Sequence, residues 1–160
     1  MGMDIGQWRE WNHDRELDWY QLEEDRYQKF NYFVKDLNKL YKNTPSLFEI
    51  DFSHDGFEWI DFNDSDNSIL SYKRKGKNKD DYTITILNFT PIVRDNYKIG
   101  VSENCNYEVI FNSDSEYYGG GNIGNNNKLS PAKMLWQENP YALSLTIPPL
   151  GALILKPLNK

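Results

Sequence analysis

The chain contains 160 residues, of which 39% are hydrophobic and 26% are charged, and its formal net charge is −6. This length fits one domain, or one domain with part of another, and the composition excludes an intrinsically disordered chain. The negative charge disfavours nucleic acid as a partner because phosphate would be repelled, and no apolar run approaches the roughly 20 residues of a membrane span.

The chain opens with an irregular stretch that is rich in tryptophan. The sequence "QWREWNHDRELDW" holds Trp8, Trp11 and Trp19, three of the five tryptophans, among many charged residues. Indole rings are usually buried, whereas charged side chains stay in water. The mixture therefore requires either ion pairing around packed rings or a functional reason for exposing them.

One amphipathic helix follows. Apolar residues recur at steps of three and four in this part of the chain, and Asn43, Thr44 and Pro45 end the pattern. The stripe consists of Phe30, Phe33, Val34, Leu37, Leu40 and Tyr41. A single helix cannot bury its own stripe, so we expect it to lie on the rest of this chain or on polypeptide outside it.

After Pro45 the apolar period changes towards two, which is typical of β-strands. Short segments alternate with Gly, Asn, Asp and Pro, and this spacing predicts an antiparallel β-sandwich or barrel. The predicted strands cover residues 57–62, 68–75, 81–89, 97–101, 107–112, 132–136, 142–147 and 151–156. Pro148 and Pro149 cannot donate ladder hydrogen bonds and should mark the turn between the last two strands.

No catalytic or metal-binding motif stands out in the sequence. His13-Asp14 and His54-Asp55 are adjacent pairs, whereas a catalytic dyad is assembled in space, and Asp55-Gly56 is a turn signal. The stretch "DFNDSDN" partly matches the calcium-loop pattern, but Asp66 and Tyr72 occupy the positions where glycine and glutamate are needed. We interpret it as a polar hairpin tip.

The stretch "GGGNIG" (119–124) satisfies the dinucleotide-binding pattern in letters only. That pattern functions where a helix opens at the third glycine of a βαβ unit. Here "NNNKLSP" follows, which breaks helices, so we expect a long flexible loop.

The expected compartment is reducing. Cys105 is the single cysteine, so no disulfide can form within the chain. The first residues, "MGMDIGQW", carry no charged and apolar regions typical of a signal peptide. We therefore expect a cytoplasmic protein.

Several blocks of the sequence resemble those of bacterial glycogen branching enzymes, the 1,4-α-glucan branching enzymes of the α-amylase superfamily. Residues 1–19, "MGMDIGQWREWNHDRELDW", are similar to the family block "MGxEFGQWxEWNHDxxLDW". Later blocks follow in the family's order, at residues 33–41, 57–76, 87–101, 110–125 and 141–157. The resemblance spans the chain, although Asp4 and Ile5 depart from the usual Glu and Phe.

The resemblance implies the C-terminal end of such an enzyme. Residues 1–44 would be the remnant of a (β/α)8 catalytic barrel: the loop after its last strand (1–22) and its last helix (26–43). Residues 45–160 would be the C-terminal all-β domain. In a barrel of this type the loops after the strands build the active-site face.

The activity that the resemblance implies is retaining transfer chemistry. The family cuts an α-1,4 bond through a covalent glycosyl-enzyme and passes the chain to a 6-hydroxyl, which makes an α-1,6 branch. The catalytic carboxylates of the family lie upstream of these blocks, so no residue here is predicted to be catalytic. No metal or organic cofactor is implied, and we expect the 160 residues alone to be catalytically silent and structural.

The implied ligand is α-glucan, glycogen or amylose. Trp8, Trp11, Trp19 and Trp59 are the candidate glucan contacts, with Trp136 as a further one. The competing interpretation, which we favour, makes the three N-terminal indoles packing anchors and places Trp59 and Trp136 in the core. The alternative function is a stand-alone α-glucan-binding β-sandwich module. We also expect self-association through the uncovered helix face at Phe30, Phe33 and Leu37, or its coverage by residues 1–25.

Overall fold

The computed structural model describes residues 1–124 and 128–158. Within these ranges the chain forms one α-helix, α1 (Asp25–Asn43), five short 3₁₀ turns and eight strands. The strands are β1 (Phe57–Asp61), β2 (Ile69–Lys75), β3 (Tyr82–Asn88), β4 (Arg94–Val101), β5 (Tyr107–Asn112), β6 (Ala132–Trp136), β7 (Asn139–Ile147) and β8 (Ala152–Pro157). The predicted helix and all eight predicted strands are confirmed.

The strands form two antiparallel sheets. The larger sheet has the order β1-β2-β3-β8-β5 and the smaller one the order β4-β7-β6. Their inner faces share one apolar core, so the architecture is the predicted sandwich. No helix in the described part of the chain is long and apolar enough to cross a membrane.

The core follows from the two-residue period of the strands. On β3, Tyr82, Ile84 and Ile86 alternate towards the core, where they join Ile99 and Leu143 of the smaller sheet. The core also holds a buried polar contact. The hydroxyls of Tyr82 and Tyr107 lie 2.8 Å apart, and each thereby gains a hydrogen-bond partner away from water.

Two strands begin earlier than predicted. β4 starts at Arg94 instead of residue 97, because Arg94 pairs with Ile147 before a register shift that precedes Tyr97. The bulge interrupts the alternation from which the strand was predicted. β7 starts at Asn139 instead of residue 142, because a two-residue turn connects it directly to Trp136 of β6.

Helix α1 lies against the larger sheet. The ring centroid of Phe33 is 5.6 Å from those of Phe111 and Tyr118, and the Tyr118 hydroxyl donates to Asp36 at 3.0 Å. Phe30 and Leu37 remain 39% and 36% exposed. The larger sheet therefore covers only part of the apolar stripe.

Candidate functional site

The N-terminal loop exposes its tryptophans. Trp8, Trp11 and Trp19 are 74%, 51% and 52% exposed in this chain. The rings are therefore not packed within this chain, and their interpretation as packing anchors against polypeptide outside it stays a prediction. Hydrophobic burial in this segment is supplied instead by Ile5, which is fully buried.

The predicted ion pairing among the charged neighbours is observed for Arg9 and Asp18. The Arg9 guanidinium donates from Nε to Asp18 Oδ2 at 2.9 Å, and the amide of Asp18 donates to the Gln7 side chain at 3.0 Å. Asp18 is only 3% exposed. The hydrogen bond from Arg9 holds the pKa of the Asp18 carboxyl below its usual range, so this carboxylate is charged at neutral pH and already occupied.

The loop is tied to α1 at its other end. Asn31 on α1 donates its side-chain amide to the Asp4 carbonyl at 2.8 Å. Gly6, at φ +65°, approaches the Phe30 ring so closely that an added Cβ would lie 3.3 Å from it. The first residues of the chain therefore contact the N-terminal part of α1 but leave Phe30 39% exposed.

Neither histidine pair forms a catalytic arrangement. His13 contacts Asp14 at 3.3 Å and His54 contacts Asp55 at 3.2 Å, and all four side chains are well exposed. A catalytic base needs an orienting partner and a shaped site, which an exposed neighbouring carboxylate does not provide. Among the described residues, no group of three or more His, Cys, Asp or Glu side chains could hold a metal ion.

The glycine-rich loop does not form a phosphate site. The carboxylate of Asp114 accepts hydrogen bonds from the amides of Gly121 and Ile123, both at 3.0 Å. A bound phosphate would need such amides free. The stretch "NNNKLSP", from which we predicted that no helix follows the glycines, starts with residues 125–127, and these lie outside the described residues.

The remaining tryptophans are also at the surface. Trp59 and Trp136 are 47% and 41% exposed, so their placement in the core is wrong. Trp59 on β1 packs edge-on against Phe57, with ring centroids 4.8 Å apart, and lies 5.6 Å from Phe62. Its ring is thus part of an aromatic patch on the edge strand.

Trp136 lines a cleft with a volume of about 870 Å³. We call it the Trp136 cleft. It lies where the β1–β2 loop, the start of β4 and the β6–β7 turn meet. Its walls carry three carboxylates, four amides, two basic side chains and two aromatic rings: Asp61, Asp64, Asp95, Asn63, Asn67, Asn96, Gln137, Arg94, Lys98, Tyr97 and Trp136.

Hydrogen bonds fix the acidic wall of the cleft. Tyr97 donates its hydroxyl to Asp64 at 2.5 Å, and Asn67 donates to the same carboxylate at 2.8 Å. Burial, together with this bond to Asp64, raises the pKa of Tyr97 well above its ordinary value. The phenol therefore stays protonated and remains the donor.

Gln137 joins the two sheets at the base of the cleft. Its side chain donates to Asp61 of the larger sheet at 2.7 Å and accepts from the Gly100 amide of the smaller sheet at 2.8 Å. Gly100 permits this approach, because a Cβ there would lie 2.3 Å from the Trp136 carbonyl oxygen. The turn that carries Trp136 is thereby held against both sheets.

Backbone strain is concentrated beside the cleft. Asn96, Gln137 and Glu138 have φ of 53°, 47° and 60°, in the left-handed region that disfavours residues with a side chain. Such residues persist where the surrounding structure over-determines them, and they cluster at functional sites. Here the two hydrogen bonds of Gln137 supply that constraint.

Sequence reasoning missed this cleft as a site. It interpreted "DFNDSDN" as a polar hairpin tip, which is where the structure places it, but Asp61 and Asp64 of that tip face residues some 30 to 75 positions away. The one available signal was Trp136 directly before a turn. Nothing in the spacing connects it to Arg94.

Comparisons with known proteins agree with this fold. Residues 59–157 match the family described as "Alpha amylase, C-terminal all-beta domain". A solved structure, the crystal structure of an alpha-amylase from H. orenii, is similar over 91% of this chain and 24% of that chain, with a TM-score of 0.50 and 17% identity. At that identity the likeness concerns the fold alone.

The similar curated proteins are much longer than this chain. A protein of Cellvibrio japonicus is 48% identical over 98% of this chain and 21% of its own length. Proteins of Halothermothrix orenii and Nitrosococcus oceani are 44% and 46% identical over 100% and 98% of this chain, which is 25% and 21% of their lengths. All three carry the name "1,4-alpha-glucan branching enzyme GlgB". The chain thus spans about a fifth to a quarter of these relatives.

Proposed function

The chain belongs to the family of the α-amylase C-terminal all-β domain, and from this premise we propose that it is the C-terminal part of a 1,4-α-glucan branching enzyme. In this proposal residues 45–160 are the C-terminal β domain. Residues 1–44 are the end of the catalytic barrel, with α1 as its last helix. The whole protein would cut α-1,4-glucan and make α-1,6 branches.

The observation that carries the proposal is the unbroken likeness along the chain. The family match begins at residue 59, yet the branching enzyme of Halothermothrix orenii aligns with all 160 residues. The likeness therefore includes the N-terminal loop and α1, which an α-amylase β domain by itself does not require. This favours a branching enzyme over an unrelated protein that shares only the domain.

The proposed role of this part is structural support and not bond breaking. Retaining transfer between sugars needs a carboxylate nucleophile and a carboxylic acid about 5 Å apart, both able to reach the anomeric centre. Among the described residues, the enclosed carboxylates are committed to other partners: Asp18 to Arg9, and Asp64 to Tyr97 and Asn67. We assign catalysis to the remainder of the longer protein.

Exchange of the matching segment tests the proposal. The 160 residues replace the segment of the Halothermothrix orenii branching enzyme with which they align over their full length. We expect the chimera to keep branching activity to within about an order of magnitude, because the two segments are 44% identical over all 160 residues. The readouts are iodine absorbance of amylose and α-1,6 linkages measured by NMR.

Two controls make this result decisive. The recipient enzyme without any replacement segment should be inactive, since the barrel would lack its last helix. The 160-residue chain alone should leave amylose unchanged. A folded but inactive chimera, or amylose remodelled by the isolated chain, would refute the proposal.

The proposal extends to ligand, location and association. It makes α-glucan the ligand, with Trp8, Trp11, Trp19 and Trp59 as candidate contacts, because these rings are exposed. It places the protein in the cytoplasm, where glycogen would be made. It also implies that the isolated chain self-associates through the part of α1 left open at Phe30 and Leu37, beside the anchored Phe33.

A further inference from the structure

We propose that the Trp136 cleft is a non-catalytic binding site for glucosyl units of an α-glucan. The identity of the sugar rests on the proposed function; the site itself rests on the geometry of the cleft. The site would hold a polymer chain on the β domain, away from the bond that is cut.

The size and the wall composition of the cleft suit a carbohydrate. Its volume of about 870 Å³ falls in the range of about 300–1,000 Å³ found for small-molecule sites. A sugar ring offers an apolar C–H face and a rim of hydroxyls that both donate and accept. An aromatic ring can stack on the C–H face. Carboxylates and amides beside it can hydrogen-bond the hydroxyls at the rim.

The platform is oriented before any ligand arrives. Trp136 donates its indole N–H to the Lys98 carbonyl at 3.1 Å, which fixes the edge of the ring against β4. The Lys98 ammonium lies over one face of the ring, 5.3 Å from its centroid, so a sugar would stack on the other face. With its edge held in this way and its side chain 41% exposed, the ring can stack on a sugar without first losing rotamer freedom.

The charge of the cleft favours a neutral ligand. Asp61, Asp64 and Asp95 outnumber Arg94 and Lys98, so a phosphorylated or carboxylated ligand would meet a net negative wall. A metal ion is disfavoured for another reason: among the described residues, no group of three or more His, Cys, Asp or Glu side chains could hold one. The hydrogen bonds that Asp61 and Asp64 accept from Gln137, Tyr97 and Asn67 leave lone pairs that neutral hydroxyls can use.

Donors are also present for the ring and hydroxyl oxygens of a sugar. Arg94 donates from Nη2 to the Asn67 carbonyl at 3.2 Å, while its buried Nε has no hydrogen-bond partner among the described residues. That Nε atom is buried and does not reach the cleft. The donors that the wall offers to a sugar are the Lys98 ammonium and the side-chain amides of Asn63 and Asn96.

Native affinity electrophoresis in gels containing glycogen tests the site with the full 160-residue chain. We expect the chain to be retarded, with free maltoheptaose restoring its mobility. Trp136→Ala should weaken the apparent affinity about tenfold or more, and Trp136→Tyr, which keeps a smaller platform, should weaken it less. Leu135→Ala is the matched control, because Leu135 is exposed on the same strand but lies outside the cleft.

A second variant guards against misfolding of Trp136→Ala. Asn63→Trp places a bulky ring in the cleft from the β1–β2 loop and leaves Trp136 intact, so it should also abolish retardation while the thermal transition is unchanged. Loss of retardation in both variants, with Leu135→Ala unaffected, supports the site.

Each of three results in glycogen gels would overturn it: no retardation of the wild-type chain, retardation that survives Trp136→Ala and Asn63→Trp, or retardation lost only in Trp59→Ala. In each case the segment exchange described above still decides the proposed function by itself. Retardation in dextran sulfate gels but not in glycogen gels would likewise overturn the site, because the ligand would then be an anion.

Discussion

At the scale of single residues, Asp18 explains how a loop of exposed indoles keeps one shape. Its carboxylate is nearly enclosed and receives the Arg9 guanidinium, while its amide donates to Gln7. A buried charge that is paired and hydrogen-bonded fixes the conformation of the loop around it. Removal of one partner would leave the other charge buried and unpaired, which is destabilising. The charges of the opening sequence are therefore partly structural, and the indoles are exposed within this chain.

The first prediction concerns the acid end of the pH range. Because the pKa of Asp18 is lowered in the folded chain, its contribution to stability is complete above its unfolded pKa and is lost as pH falls through the folded pKa. Arg9→Ala should raise the pKa of Asp18 towards that unfolded value. A carbon-13 NMR titration of the carboxyl measures the shift.

Arg26→Ala is the matched control for that titration. Arg26 is paired with Glu24 at 2.9 Å and makes no contact with Asp18, so the Asp18 pKa should not move. An Asp18 pKa that stays low in Arg9→Ala would show that the guanidinium is not its main cause.

At the scale of elements, the β6–β7 hairpin is the least expected feature. Two-residue hairpin turns of type I′ need positive φ at both central positions and normally use Asn-Gly. Here Gln137 and Glu138 occupy them, at φ 47° and 60°. Gln137 offsets its strain by bonding both sheets, but Glu138 has no such contact among the hydrogen bonds and ion pairs described, so its strain is uncompensated.

The second prediction follows from that difference. Glu138→Gly should stabilise the chain by about 0.5–1 kcal/mol, because relief of a left-handed side-chain residue exceeds the entropy that glycine loses on folding. Lys133→Gly, in the extended β6 strand of the same hairpin, should destabilise it by roughly the same amount. Urea unfolding measures both; equal losses in the two variants would contradict the strain argument.

Elements were the part of the fold that patterns could predict. Alternation in "DYTITILNF" and "ALSLTI" reports which residues face a core, because successive strand residues point to opposite sides. The early start of β4 escaped prediction since its bulge breaks the alternation between Arg94 and Tyr97. The early start of β7 escaped because Gln-Glu is not a recognised turn pair.

At the scale of the whole molecule, α1 joins the N-terminal loop to the sandwich and is only half covered. Phe33 is held between Phe111 and Tyr118, whereas Phe30 and Leu37 keep over a third of their surface in water. The proposed remainder of a longer protein would cover this open face. We expect a second copy of the isolated chain to cover it in the same way.

The third prediction tests this open face by sedimentation velocity. The sedimentation coefficient of the isolated chain should rise with concentration, and Leu37→Asp should abolish the rise because a charge cannot be buried in an apolar contact. Asn38→Asp, which adds the same charge at an exposed polar position of α1, should leave it intact. A wild-type chain that stays monomeric throughout would remove the proposal of self-association.

The sequence by itself determined the local structure and the family. Periods of two and of three to four residues specify strands and a helix because they record which side of each element meets a core. Sequence blocks from residue 1 to residue 157 follow the order of the branching-enzyme family. They predicted the similarity to that family, which the comparisons confirm.

Only the tertiary structure decided which side chains meet and which stay in water. Asp64, Arg94 and Trp136 come from the β1–β2 loop, the start of β4 and the end of β6, and they converge because two sheets stack with one particular strand order. Exposure of the tryptophans was likewise decided by what packs around them. Periodicity carries no information on the pairing of distant strands, so contacts of this kind cannot be derived from the pattern of a single chain.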